Sequence, residues 1–257
     1  MDSLSRLRSL CAWLTIAASI AGCAEPARQT PSPETVATAE AVARSVTFPA
    51  PFSTTPTATD REQDPIVLDA HVFGSGETGV ILAHMRTADQ SSWFAFATEL
   101  AATGDFTVMT FDFRGHGAST GERLFDRIDT DLTAAYSYMR NTLKVERIFL
   151  AGASMGGTAA LIVAARAPVA GVVSISSPAQ FPPLYATETV ADITAPMLFI
   201  TSQDDVPAFR TQEAFWALAT GPKTQHVYGG EAHGTALFDG PHAADLRARL
   251  LAFLSMR

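Results

Sequence analysis

The chain has 257 residues, 47% of them hydrophobic and 17% charged, a balance that fits one α/β domain with terminal extensions and excludes a wholly disordered polypeptide. Its 18 Lys and Arg stand against 26 Asp and Glu, for a formal net charge of −8. Binding a phosphate backbone needs clustered cations, and none cluster here, so no nucleic-acid partner is expected.

In chain order, the amino terminus comes first. "MDSLSRLR" supplies Arg6 and Arg8, and "SLCAWLTIAASIAG" follows as an apolar run too short to span a bilayer comfortably, which reads as a secretory signal. Its end, Ile20-Ala21-Gly22-Cys23, resembles the lipobox of bacterial lipoproteins. That resemblance implies a signal over 1–22, lipid attachment at Cys23 and membrane contact through this anchor. An exported protein held on the cell envelope is expected, on the outer membrane where the cell has two. The alternative is an ordinary signal cut at a small residue, with Cys23 incidental. Cys11 would leave with the signal, so no disulfide and no cysteine-based metal site is expected in the mature chain.

From 23 to 63 the sequence turns rich in Pro, Thr and Ala, as in "FPAPFSTTPTATD", and predicts a flexible tether. A folded domain is expected over 64–257. There, apolar runs alternate with amphipathic ones, the pattern of a mostly parallel sheet covered by helices on both faces. "IVLDAHVFG" predicts an early edge strand, "GVILAHM" and "FTVMTFDF" two buried strands, and "SSWFAFATELAATG" a helix ending at Gly104. "DRIDTDLTAAYSYMRNTL" places Ile128, Leu132, Ala135, Tyr136 and Met139 at helical spacing.

The run "RIFLAGASMGGTAAL" then sets Ser154 between Gly152 and Gly156, after a buried strand and before a small-residue helix. Glycine at those two places removes side chains where strand and helix would collide. A tight strand-to-helix turn lifts the serine oxygen over the carboxyl edge of the sheet and aims the Met155 N–H into the same space, the geometry of a nucleophile elbow. Beyond it, "GVVSIS", "PMLFITS" and "TQHVYG" predict strands, and "FRTQEAFWALAT" and "AADLRARLLAFLSM" predict helices.

With "FDFRGHGAS", "GASMGG", "ITSQDD" and "GGEAHG" in this order, the chain from about Pro65 onward resembles the α/β-hydrolase family, in its compact branch of dienelactone hydrolases, small esterases and serine aminopeptidase-like enzymes. The resemblance implies a serine hydrolase, with an acid and a base on loops after later strands. Asp205 is the expected acid, Asp204 the alternative. Ser202 stands where relatives have glycine in a Gly-x-x-Asp turn, and the carboxylate not used by the triad is expected to cap the helix near Pro207. His233 is the expected base, while His226 and His242 are expected to be structural. The oxyanion donors implied are the backbone of Met155 and of Arg86. Met85 replaces the usual glycine and is the alternative donor.

Arg114 and His116 are expected to brace the "RGHG" turn. No metal-ligand spacing such as His-Glu-x-x-His occurs, and no cofactor is expected. The segment after "GVVSISS" is too short for a helical cap, so the cleft should be shallow, with Phe181, Leu184, Tyr185 and Trp93 as candidate walls, each of the aromatics fitting the core at least as well. The expected substrate is a small ester handled through an acyl-enzyme. Amide or thioester cleavage on the same triad is one alternative, and a non-catalytic binding lipoprotein is another.

Overall fold

The computed structural model describes residues 43–51 and 65–257. Its strands are β1 (Arg44–Ala50), β2 (Ile66–Phe73), β3 (Thr78–Ala83), β4 (Phe106–Phe111), β5 (Arg147–Ala153), β6 (Gly171–Ile175), β7 (Gln180–Phe181), β8 (Leu184–Tyr185), β9 (Met197–Ser202) and β10 (Lys223–Tyr228). Its helices are α1 (Phe94–Ala102), α2 (Ile128–Asn141), α3 (Met155–Ala164), the single turn α4 (Ala186–Thr189), α5 (Val206–Leu218) and α6 (Ala243–Leu254). Eight strands form one sheet in the order β1-β2-β4-β3-β5-β6-β9-β10. The β1–β2 and β2–β4 pairs are antiparallel and every other pair in it is parallel.

Parallel strands covered on both faces read as continuous apolar runs, and every residue of β4, β6 and β9 is buried. Alternate side chains then feed two separate cores. Ile81 joins Phe111, Leu132 and Leu161 under α2 and α3, while Val80 and Leu82 join Leu100, Leu250 and Phe253 under α1 and α6. Gly104, at φ 83°, closes the turn after α1 because a left-handed residue there is best left without a Cβ.

The amino-terminal boundary differs from the expectation. A tether running without interruption over 23–63 is contradicted, because Arg44–Ala50 forms β1 and pairs along its whole length with β2. The domain therefore begins at least 20 residues before the expected 64. Consequently β2 is an interior strand, and β1 is the edge. β1 is anchored by Phe48, which is buried and stacks on Tyr138 at 4.9 Å, a contribution on the order of 2 kcal/mol. Just past its end, the Pro51 carbonyl accepts from Arg114 Nη2 at 3.0 Å. The expected signal over 1–22 and the lipidation site Cys23 lie outside the described residues.

Candidate active site

Ser154 sits between β5 and α3 with φ 50° and ψ −116°, a conformation in the left-handed half of backbone space that costs a non-glycine residue about 1–3 kcal/mol. The surroundings hold it there. Its N–H donates to the Ile175 carbonyl at 2.7 Å, and its own carbonyl accepts from the N–H groups of Gly157 and Thr158 at 2.9 and 3.0 Å. The flanking glycines are required by contact: a Cβ on Gly152 would lie 2.2 Å from the Gly156 carbonyl carbon, and one on Gly156 would lie 2.2 Å from the Ala83 oxygen. The last of these contacts brings the end of β3 against the start of α3. Met155 is the first residue of α3, where an N–H has no carbonyl one turn back in the helix to bind. Ser154 itself is half-buried, so its oxygen is reachable from solvent.

The end of β3 continues as His84-Met85-Arg86. His84 is fully buried, and its two ring nitrogens face backbone groups: Nε2 lies 3.1 Å from the Phe113 nitrogen and Nδ1 lies 2.8 Å from the Met85 oxygen. An amide N–H can only donate, so Nε2 accepts and the ring proton resides on Nδ1, donated to the Met85 carbonyl. Ala88 N–H donates to the same oxygen at 3.1 Å. A peptide unit is planar and trans, so fixing the Met85 carbonyl also fixes the Arg86 N–H on the opposite side. Among the described residues no backbone carbonyl accepts from the Met85 or Arg86 N–H. The importance of His84 escapes sequence reasoning, since its partners are backbone atoms, one of them 29 positions away.

Burial lowers the His84 pKa from 6.5 to about 4, with the Met85 hydrogen bond opposing and the nearby His116 adding to the drop. The folded state thus holds the ring neutral, whereas the unfolded chain takes up a proton below about pH 6.5. Stability from this group is complete above that pH and falls as pH drops toward 4, by about 3 kcal/mol over the whole window. Urea denaturation at pH 7 and pH 5 should show about 2 kcal/mol of this loss, and the loss should shrink in a His84→Asn variant, whose amide keeps a donor near the Met85 carbonyl but has no titrating ring. An equal loss in both proteins would refute the assignment.

On the far side of the elbow, β9 ends at Ser202 and α5 begins after Asp205. His233 Nδ1 lies 2.6 Å from Asp205 Oδ2, with the carboxylate largely buried and the imidazole 43% exposed. A carboxylate can only accept in this contact, so the Nδ1 proton points at Asp205 and Nε2 keeps its lone pair free. Ser202 donates its hydroxyl to the Ala232 carbonyl at 2.6 Å and so ties the end of β9, just before Asp205, to the loop that carries His233. The next residue, Gly234, is at φ 58°, and a Cβ there would lie 3.0 Å from Met85 Sδ and 3.5 Å from Ala153 Cβ. The His233 loop therefore lies directly against the residue preceding Ser154 and against the turn after β3. Asp204 is exposed, and its N–H donates to the Gly230 carbonyl. The expected cap on α5 is not formed: the residue at the cap position is Asp205, whose side chain makes no capping bond.

The remaining predicted residues divide. Trp93 is not a cleft wall, because it is completely buried against Phe96 and Phe238. Phe181, Leu184 and Tyr185 lie half-buried on the β7–β8 hairpin, and Phe181 meets Phe125 at 5.8 Å between ring centres. Arg114 is buried and donates from Nε and Nη2 to Asp131, a brace whose one-sided removal typically costs about 3–5 kcal/mol. His116 is buried too, its Nδ1 3.1 Å from the Arg114 carbonyl. His226 and His242 flank Tyr228 at 4.3 and 4.9 Å on the far edge of the sheet. Among the described residues no group of three or more His, Cys, Asp or Glu could hold a metal ion.

This arrangement of strands and loops is also found in solved structures. The esterase Pf2001 of Pyrococcus furiosus superposes with a TM-score of 0.67 at 16% identity, covering 88% of this chain and 93% of that one. The monoacylglycerol lipase of Paleococcus ferrophilus gives a TM-score of 0.63 at 18% identity, over 73% of this chain and 98% of that one. The chain has the α/β-hydrolase fold. Within that fold, a family model described as "Serine aminopeptidase, S33" matches residues 76–187, which takes in both the turn after β3 and the elbow. In sequence the chain is 28% identical over 204 residues to the uncharacterized protein Rv2307c of Mycobacterium tuberculosis, covering 70% of this chain and 72% of that protein. In α/β-hydrolase folds the loops at the carboxyl ends of the strands host the chemistry. That is where Ser154, Asp205 and His233 lie, on the loops after β5, β9 and β10.

Proposed function

We propose that the protein is a serine hydrolase that cleaves carboxylic esters through an acyl-enzyme, with Ser154 as nucleophile, His233 as base and Asp205 as acid. The observation that carries this reading is the 2.6 Å Asp205–His233 contact on a loop packed against the strained Ser154 turn. His233 Nε2 takes the Ser154 proton as the oxygen attacks the ester carbonyl carbon. The carbonyl electron pair moves onto its oxygen, which the N–H groups of Met155 and of Arg86, with Met85 the alternative second donor, stabilise by about 3 kcal/mol per donor. Collapse of this intermediate breaks the bond to the alcohol oxygen, which leaves with the proton from His233. Water, deprotonated by the same nitrogen, then attacks the acyl carbonyl and frees the acid and Ser154.

A fluorophosphonate probe should add once, on the peptide containing Ser154, in a protein that also hydrolyses short-chain esters. Absence of both labelling and hydrolysis would overturn the proposal. The match to the serine aminopeptidase description favours a second reading, amide cleavage on the same triad, and an anilide cleaved faster than its matched ester would establish it. In either case, the lipobox-like Ile20–Cys23 supports an enzyme anchored to the cell envelope. Labelled palmitate should enter the chain and fail to enter a Cys23→Ser variant; equal incorporation in both would exclude that anchor.

A further inference from the structure

We infer that the esters turned over best carry an anionic group, a carboxylate or phosphate a few bonds from the scissile carbonyl, and that the Arg86 guanidinium selects for it. The inference rests on the serine-hydrolase reading and adds to it the charge of the substrate. Arg86 lies in the turn after β3, and its neighbour Met85 packs against Gly234, beside His233, as does Ala153, beside Ser154, so the Arg86 side chain starts near the candidate reacting centre and can reach on the order of 6 Å from its backbone. The side chain is exposed, and its Cζ lies 5.9 Å from the centre of the Phe125 ring. Phe125 in turn contacts Phe181, so the cation is placed at the rim of an aromatic wall that restricts where it goes.

Among the described residues Arg86 makes no ion pair. Two acids close to Arg86 or to its aromatic partner are engaged elsewhere: Asp89, three positions on, accepts at Oδ1 from the N–H and hydroxyl of Ser91, and Asp126, next to Phe125, pairs with Arg127 at 2.8 Å. Asp205, the one acid of the triad, is bound to His233. On a chain with net charge −8, an exposed cation that forms no ion pair among the described residues, close to the candidate site, is where an anion would be drawn. A guanidinium offers planar, paired donors suited to carboxylate and phosphate oxygens.

The test compares matched esters. On the acyl side, monoethyl glutarate is set against ethyl 4-nitrobutanoate, which has the same chain length and nearly the same shape but no charge. On the alcohol side, acetyl glycerol phosphate is set against monoacetylglycerol. Wild type should favour the anionic member of at least one pair by about five- to tenfold in kcat/KM at low salt, less at 0.5 M NaCl. Arg86→Gln should bring that ratio close to one, and Arg86→Glu should invert it. The ratio is informative because any change in the backbone donor affects both members of a pair alike. A ratio near one in wild type on both arms, or one unchanged in Arg86→Gln, overturns the inference. A wild-type protein that hydrolyses none of the four esters and takes no phosphonate defeats the underlying reading instead.

Discussion

Ser154→Ala is expected to lower kcat/KM for a short-chain ester by about 10⁵- to 10⁶-fold, leaving a residue of turnover that comes from binding and oxyanion stabilisation alone. The loss should be in kcat, since the hydroxyl acts on the transition state and contributes little to holding the substrate. Stability is the control that makes the result decisive. Among the described residues the Ser154 hydroxyl makes no hydrogen bond, and alanine at φ 50° is as strained as serine, so the midpoint of urea unfolding should stay within about 0.5 kcal/mol of wild type. Ser154→Gly should be equally inactive yet no less stable, because the release of backbone strain offsets the extra freedom glycine gives the unfolded chain. A residue whose removal costs activity and spares stability is one kept for chemistry. If Ser154→Ala kept more than a tenth of the wild-type rate, the nucleophile would lie elsewhere.

How much of this could be read beforehand varied with burial. Strands β3, β4, β5, β6 and β9 are short apolar runs bounded by glycine or polar residues, and that pattern is dictated by having both faces covered. The glycines around Ser154 were legible for the same reason, since excluded volume at 2.2 Å leaves no other residue. β1 was not legible. Only Phe48 and Ala50 of its seven residues are buried, and its other positions are free to be Arg, Ser, Thr and Pro, which makes an edge strand look like linker. Trp93 stayed open in the sequence because a large aromatic near the start of a helix fits a cleft wall and a core equally well, and only the positions of Phe96 and Phe238 decide for the core. The part played by His84 had no sequence signal beyond its neighbours, because its hydrogen bonds go to backbone atoms that any residue would supply.

The choice between two adjacent carboxylates has a sharp experimental consequence. Asp205→Asn should reduce kcat by about 10⁴-fold, while Asp204→Asn should stay within about threefold of wild type. The asymmetry follows from the proton on His233. With a carboxylate 2.6 Å from Nδ1, the ring is compelled to carry its proton there and to present a bare Nε2 to the nucleophile. An asparagine in the same place can turn its NH₂ toward Nδ1, which then accepts and forces the proton onto Nε2, where it blocks the base. The imidazolium formed during attack also loses its counter-charge. Geometry would be nearly unchanged, so a pH–rate profile is the sensitive readout. Activity of Asp205→Asn should recover partly at high pH, where hydroxide does the work of the missing base. Asp204 is exposed, contributes a backbone hydrogen bond to Gly230 that asparagine retains, and has no side-chain contact with the ring to lose. A deep loss in Asp204→Asn with Asp205→Asn near wild type would move the acid one position back and, with it, the register of the whole loop between β9 and α5.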